Sequence, residues 1–242
     1  MSAMELQGIE AIDAAMREPV GRYAQRVRSH AGEKALSLTL FGAIAGETFD
    51  VAKQTVSSVL VLAEIDLDAL RNLAAEGHKF GKTAIAAPLV MTPAFIKASL
   101  DSFPLELIEI QQRRVVLFGD DYFDKLQFAD DHVRLQCERE LKAIAVGIRQ
   151  RLLASSGRES SFGGVAEQAA AGLARTLRGL VWLHGVKEPR RWHALVAEAE
   201  KLLGRPLHGV RRAANPPLPF HWHDLQELYQ DVEALGRYAD AW

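Results

Sequence analysis

A short glycine turn between two apolar runs is the stretch of this sequence best suited to hold a phosphate. Residues 36–41 and 55–62 are rich in leucine, valine and hydroxyl-bearing residues, and residues 42–46 between them read Gly-Ala-Ile-Ala-Gly. Small residues let backbone N–H groups approach an anion closely. Serine hydroxyls near the start of the second run offer neutral hydrogen bonds. The predicted phosphate-binding residues are Gly42, Ala43, Gly46, Ser57 and Ser58.

Carboxylates that could hold a divalent metal ion occur elsewhere in the first half of the chain. Magnesium takes hard oxygen ligands, and two carboxylates at i and i+2 of a strand point to the same side. Asp66 and Asp68 have that spacing, but they follow a strand and lead into a run with leucine at 67, 70 and 73. Acids before a helix cap its free N–H groups, so we predict capping here. The complete set of alternative metal ligands is Asp50, Asp66, Asp68, Glu106 and Glu109.

The succession of strand, glycine turn and strand resembles the entrance to a nucleotidyltransferase domain of the polymerase-beta type. In that family the first strand ends in Gly-Ser, and the second begins with two aspartates one residue apart. Here Ala43 stands in place of the serine, and residues 56–60 read Val-Ser-Ser-Val-Leu. The resemblance covers residues 36–151 and implies a nucleotidyltransferase fold without the metal-binding aspartate pair. It also implies that a third carboxylate would lie on a later strand, where Glu106 and Glu109 are nearest in position.

Hydrophobic periodicity around this frame predicts an α+β protein. Apolar residues three and four apart in residues 3–30 indicate a helix that covers the sheet, kinked or split at Pro19 and Gly21. Further strands are predicted over residues 83–90, 105–111 and 114–118. From residue 130 the pattern is helical, with a connector over residues 211–219. We therefore predict a nucleotidyltransferase-like mixed-sheet domain over residues 1–129 and a C-terminal helical bundle over residues 130–242.

Composition limits the classes of partner. The chain has 242 residues, 25% of them charged, and a formal net charge of −2, so no basic footprint indicates nucleic acid. Its one cysteine, Cys137, excludes a disulfide framework within one chain and fits a reducing compartment. The acidic N-terminus does not resemble a secretory signal, and no apolar run is long enough to span a bilayer. We predict a cytoplasmic protein without a membrane partner.

Three functions stay open from the sequence. The first is an inactive nucleotidyltransferase that serves as a binding or regulatory module, with a nucleotide as ligand at the glycine turn. The second is an active nucleotidyltransferase with displaced carboxylates, which would need magnesium. The third is a structural or oligomerisation protein whose helical bundle contacts a second copy or another protein. No cofactor is specified by the sequence outside the second hypothesis.

Overall fold

A mixed β-sheet forms the first part of the chain, and the strands on either side of the glycine turn are neighbours in it. The computed structural model describes residues 6–46, 49–50, 54–75, 77–187, 191–213 and 219–241. Within them the strands are β1 (Ala35–Phe41), β2 (Ser57–Leu62), β3 (Leu89–Met91) and β4 (Arg114–Gly119). Their order is β3-β2-β1-β4, with β1 antiparallel to β2 and β4, and β2 parallel to β3. The predicted adjacency of the first two strands is confirmed.

Helix α1 (Ala14–Ala31) covers one face of this sheet without a break at Pro19. Apolar side chains at Met16, Val20 and Tyr23 are buried in one cluster with leucines of β1 and β2. Each such side chain contributes about 1.5–3 kcal/mol on burial, and a proline inside a helix costs about 3 kcal/mol. Burial of the whole stripe outweighs the one lost hydrogen bond, so α1 continues through Pro19 and the predicted split does not occur.

Two of the predicted strands differ from the structure. The strand predicted over residues 83–90 is reduced to β3, because Pro88 lacks the N–H that a ladder needs and Ala84 has a positive φ of 56°. The strand predicted over residues 105–111 is wrong, since Pro104–Gln112 form a helix. Pro104 suits the first helical position, and the Gln136 side chain accepts a 2.8 Å hydrogen bond from the Leu105 N–H. Three further short helices precede it: α2 (Leu67–Ala74), α3 (Gly77–Gly81) and α4 (Pro93–Ala98), so Pro104–Gln112 is α5.

The described residues after β4 contain helices and loops and no strand, as predicted. The helices are α6 (Asp130–Ala154), α7 (Phe162–Leu183), α8 (Trp192–Leu203), α9 (His208–Ala213) and α10 (Trp222–Ala241). Helix α9 overlaps the segment predicted as a helix-free connector. The buried carboxylate of Asp231 accepts hydrogen bonds from the N–H groups of Gly209 (2.9 Å) and Val210 (3.2 Å), which caps this short helix.

Helices α9 and α10 are in close contact at Gly209. A Cβ atom at this position would lie 2.1 Å from the Leu228 backbone nitrogen, so only glycine fits without movement of the backbone. The core of these helices is apolar and continuous from α6 to α10, with Cys137, Leu177 and Leu228 fully buried.

Contacts divide the chain into two compact units. The first comprises Met1–Leu100 and Glu109–Gln127, and the second comprises Asp101–Ile108 and Phe128–Trp242. The first half of α5 thus belongs with the helical unit and its second half with the sheet. No helix in the described residues has both the length and the apolar character needed to cross a membrane.

Candidate functional site

The glycine turn directly follows β1 and is held by backbone hydrogen bonds at both of its glycines. Gly42 has a φ of +77°, a conformation that glycine adopts without strain, and its N–H donates to the Arg113 carbonyl oxygen at 3.0 Å. Residues Gly42–Ala45 then form a single 3-10 turn, whose Ile44 side chain is buried. The Gly46 N–H donates to the Ala43 carbonyl oxygen at 3.0 Å. The turn is therefore a fixed element of the sheet unit.

These bonds decide which backbone donors a ligand could use. The N–H groups of Gly42 and Gly46 are already engaged, whereas the first N–H groups of a helical turn have no acceptor within it. In this turn those donors belong to Ala43 and Ile44, and no side chain caps them. The backbone groups suited to an anion are thus at the start of the turn, between the two glycines.

Arg113 brings a positive charge to the turn, which the sequence reasoning did not identify. One of its terminal guanidinium nitrogens lies 3.6 Å from the position that a Cβ atom would take at Gly46. Its neighbour Arg114 is ion-paired with Asp121 and Asp124, each at 2.8 Å. The pairing of β4 with β1 is what places Arg113 here, and only the Arg-Arg doublet at the start of β4 could have signalled it.

The two serines of β2 lie on opposite faces of the sheet. Ser57 is partly exposed and stands opposite Phe41, beside the glycine turn. Ser58 is 1% exposed, and its hydroxyl lies 2.8 Å from the hydroxyl of Tyr23 in α1. Burial raises the pKa of Tyr23 to about 12, so both groups are neutral at physiological pH. The Ser58 hydroxyl is consequently used inside the α1–sheet interface, and Ser57 is the serine with access to solvent.

Strand β2 carries no carboxylate of the kind that holds the metal ion in nucleotidyl transfer. Residues i and i+2 share a face, so the positions that could replace an aspartate pair are Val56 with Ser58 or Ser57 with Val59. The first pair is buried and the second offers one neutral hydroxyl, whereas magnesium prefers anionic oxygens. The described residues also contain no group of three or more His, Cys, Asp or Glu that could hold a metal ion.

Asp66 caps helix α2, as predicted, and Asp68 lies in the first turn of that helix. The Asp66 carboxylate accepts hydrogen bonds from the N–H groups of Asp68 (3.0 Å) and Ala69 (3.1 Å) at the start of α2. It also accepts one from the Lys34 ammonium group at 2.9 Å. The Lys34 bond, helped by the Ala69 N–H, lowers the pKa of Asp66. This carboxylate is thereby occupied by its own chain.

Two of the remaining alternative carboxylates, Glu106 and Glu109, lie in α5. Glu106 is in α5, where its two oxygens bind Arg175 at 2.9 Å and Gln136 at 2.8 Å inside the helical unit. Glu109 is in the same helix, so neither residue occupies the predicted outer strand. The N–H of the exposed Asp50 donates to the Gln54 side chain at 2.9 Å.

Sequence comparison does not relate the chain to a known family. No protein-family model matches it, and no curated protein matches it in sequence.

Comparison of structures does give a match. The crystal structure of spectinomycin adenyltransferase AAD(9) from Enterococcus faecialis with ATP and spectinomycin aligns with a TM-score of 0.60 at 10% sequence identity. The alignment covers 92% of this chain and 98% of that chain. At this identity the likeness concerns the fold alone. The chain therefore has an α+β nucleotidyltransferase-like fold: a four-stranded mixed sheet with helices, followed by a helical part.

Proposed function

We propose that this chain is an inactive nucleotidyltransferase that binds a nucleotide phosphate at its glycine turn without a metal ion, as a binding or regulatory module. The observation that carries the proposal is the pair Ser57 and Ser58. These neutral residues occupy the strand that should supply carboxylates, and one of them is hydrogen-bonded to Tyr23 in the core.

The absence of carboxylates on β2 is the reason to expect no transfer. Nucleotidyl transfer depends on one or two divalent ions that bridge triphosphate oxygens and activate the attacking hydroxyl. Positioning and electrostatic stabilisation are nearly the whole of such catalysis, so loss of the metal ligands removes most of it. Ala43 also lacks the hydroxyl that the family's serine would place beside the phosphates.

The turn itself retains features that favour an anion. No side chain caps its first N–H groups, which lack acceptors within the turn, and the Arg113 guanidinium lies beside Gly46. Ser57 adds a partly exposed hydroxyl on the neighbouring strand. The structurally similar adenyltransferase was crystallised with ATP, which makes ATP the natural first ligand to test.

A pair of assays tests the two halves of this proposal. Purified protein incubated with labelled ATP and magnesium or manganese should yield no labelled product and no self-modification. ATP alone should raise the melting temperature, because a ligand at about 100 times its Kd stabilises by about 2.7 kcal/mol. Metal-dependent labelling would contradict the loss of catalysis.

Variants of the turn locate the binding site. Gly42→Val should abolish the ATP-induced shift, since a β-branched residue does not adopt the +77° φ of this position. Arg113→Gln should weaken the shift, whereas Arg139→Gln, at an exposed position in α6, should leave it unchanged. An equal loss in all three variants would place ATP elsewhere.

We also propose a cytoplasmic location. Burial raises the pKa of the Cys137 thiol to about 12, so this cysteine behaves as a core residue and not as a redox group.

A further inference from the structure

A cavity between α6 and α10 in the helical unit has the size and lining of a small-molecule site. Its volume is about 320 Å³, near the lower end of the range of ligand pockets. Aliphatic side chains of Ile148, Leu152 and Leu225 form one part of the lining, and the aromatic rings of Trp222 and Tyr229 form another. This composition favours a compact ligand with an apolar, ring-shaped body.

Both aromatic residues are held by contacts with residues that do not line the cavity. Trp222 is 45% exposed, yet its ring packs against buried Phe162 with ring centroids 6.0 Å apart. Its backbone N–H donates to Glu159 at 3.2 Å, which fixes the start of α10. The Tyr229 hydroxyl donates to Glu233 at 2.7 Å. An exposed tryptophan fixed in this way offers a ring face to a ligand at little entropic cost.

Arg149 is the charged residue of the cavity lining. Its guanidinium carbon lies 5.9 Å from the centre of the Tyr229 ring, and its Nε donates to the Ala145 carbonyl oxygen at 3.3 Å. No carboxylate of the described residues forms an ion pair with Arg149, which is exposed. The terminal nitrogens of this guanidinium are thus available to an anion beside an aromatic wall.

A second cavity along the same two helices helps to define where that anion would lie. It has a volume of about 450 Å³ and shares Arg149 with the first. There Lys142 is already bonded to Asp240 at 3.4 Å, and Arg237 lies 4.0 Å from Glu233. The other charged residues of the second cavity thus pair with one another. Among the described residues that line the two cavities, the unpaired positive charge is that of Arg149.

From this arrangement we propose that the α6–α10 cavity binds a small aromatic carboxylate. The ring packs between Trp222 and the aliphatic floor, and the carboxylate accepts hydrogen bonds from the Arg149 guanidinium. The site lies wholly in the helical unit and does not depend on the nucleotide proposal for the glycine turn.

Titration calorimetry with naphthoate and its neutral amide tests this proposal. The wild-type protein should bind naphthoate about tenfold or more tightly than naphthamide, because a charge-assisted hydrogen bond discriminates between them by at least that factor. Arg149→Gln should abolish the difference. Arg151→Gln should preserve it, since the Arg151 guanidinium lies against Gly147, outside the cavity lining. Trp222→Leu should weaken both ligands.

Several results would overturn the proposal. These are absence of naphthoate binding at millimolar concentration, equal affinity for acid and amide, or equal effects of the two arginine variants. Light scattering on the same samples tests whether the groove instead binds a second copy of the chain. A dimer that dissociates in Arg149→Gln would assign this groove to a second copy of the chain and contradict a small-molecule site.

Discussion

Replacement of Ser58 by aspartate would return a carboxylate to the strand that carries the aspartate pair in active nucleotidyltransferases. The structure predicts that this change destabilises the protein instead of restoring a metal site. Ser58 is 1% exposed and faces Tyr23. Full burial raises the pKa of a carboxyl by about three or more, and each pKa unit corresponds to about 1.4 kcal/mol. The cost at pH 7 is therefore about 4 kcal/mol, offset by about 1–2 kcal/mol if the Tyr23 hydroxyl donates to the new group.

The sign of the pH dependence provides a second test of Ser58→Asp. A carboxyl whose pKa is higher in the folded than in the unfolded state loses stability as the pH rises towards the folded value. Urea unfolding followed by circular dichroism should thus show about 2–3 kcal/mol more stability for the variant at pH 5 than at pH 7, relative to wild type. Ser57→Asp, at the partly exposed neighbour, is the matched control and should change stability by less than about 1 kcal/mol.

If Ser58→Asp proved as stable as the wild-type protein at pH 7, this reasoning would be refuted. Such a result, together with stabilisation by magnesium in the variant, would mean that Ser58 faces a cleft open to solvent. The proposal that this chain is catalytically inactive would then fail, because a single substitution could supply half of a metal site.

Three further predictions follow from the packing of the chain. In urea unfolding, Gly209→Ala should destabilise the protein by about 2 kcal/mol or more, because a Cβ atom there would lie 2.1 Å from a backbone nitrogen of α10. The control Gly164→Ala should be neutral or stabilising, because a Cβ atom at Gly164 meets no other atom. Hydrogen bonding to Arg211 lowers the pKa of Glu200, so its contribution is present above the ordinary carboxyl pKa and lost as the pH falls. Wild type and Glu200→Gln should therefore differ in melting temperature at pH 7 and converge towards pH 3. Asp66→Ala should lower the melting temperature through loss of the α2 cap, and an unchanged value would contradict the capping role.

The frame of the site could be predicted because its signals are local. The apolar runs on either side of residues 42–46 specify two strands and a glycine turn, and the turn requires its positive φ at Gly42. The capping role of Asp66 is also local, since the N–H groups that donate to its carboxylate lie two and three residues later.

The features that could not be predicted from the sequence depend on contacts between residues that are distant in the chain. Helix α5 begins where Gln136, 31 residues away, accepts from its first turn, and α9 is capped by Asp231, about twenty residues later. Apolar residues on several sides of α5 also obscured its helical period, so a strand was predicted there. The Tyr23 partner of Ser58 and the approach of Arg113 to Gly46 have the same origin, because sheet pairing and helix docking create both.

Calorimetric titration of ATP in excess EDTA, repeated with magnesium, tests the central claim most directly. If backbone N–H groups of the glycine turn and Arg113 hold the phosphates, ATP binds in EDTA, and its Kd changes by less than about threefold when magnesium is added. Binding that appears only with magnesium would show that carboxylates of this chain do assemble a metal site, and would contradict the account.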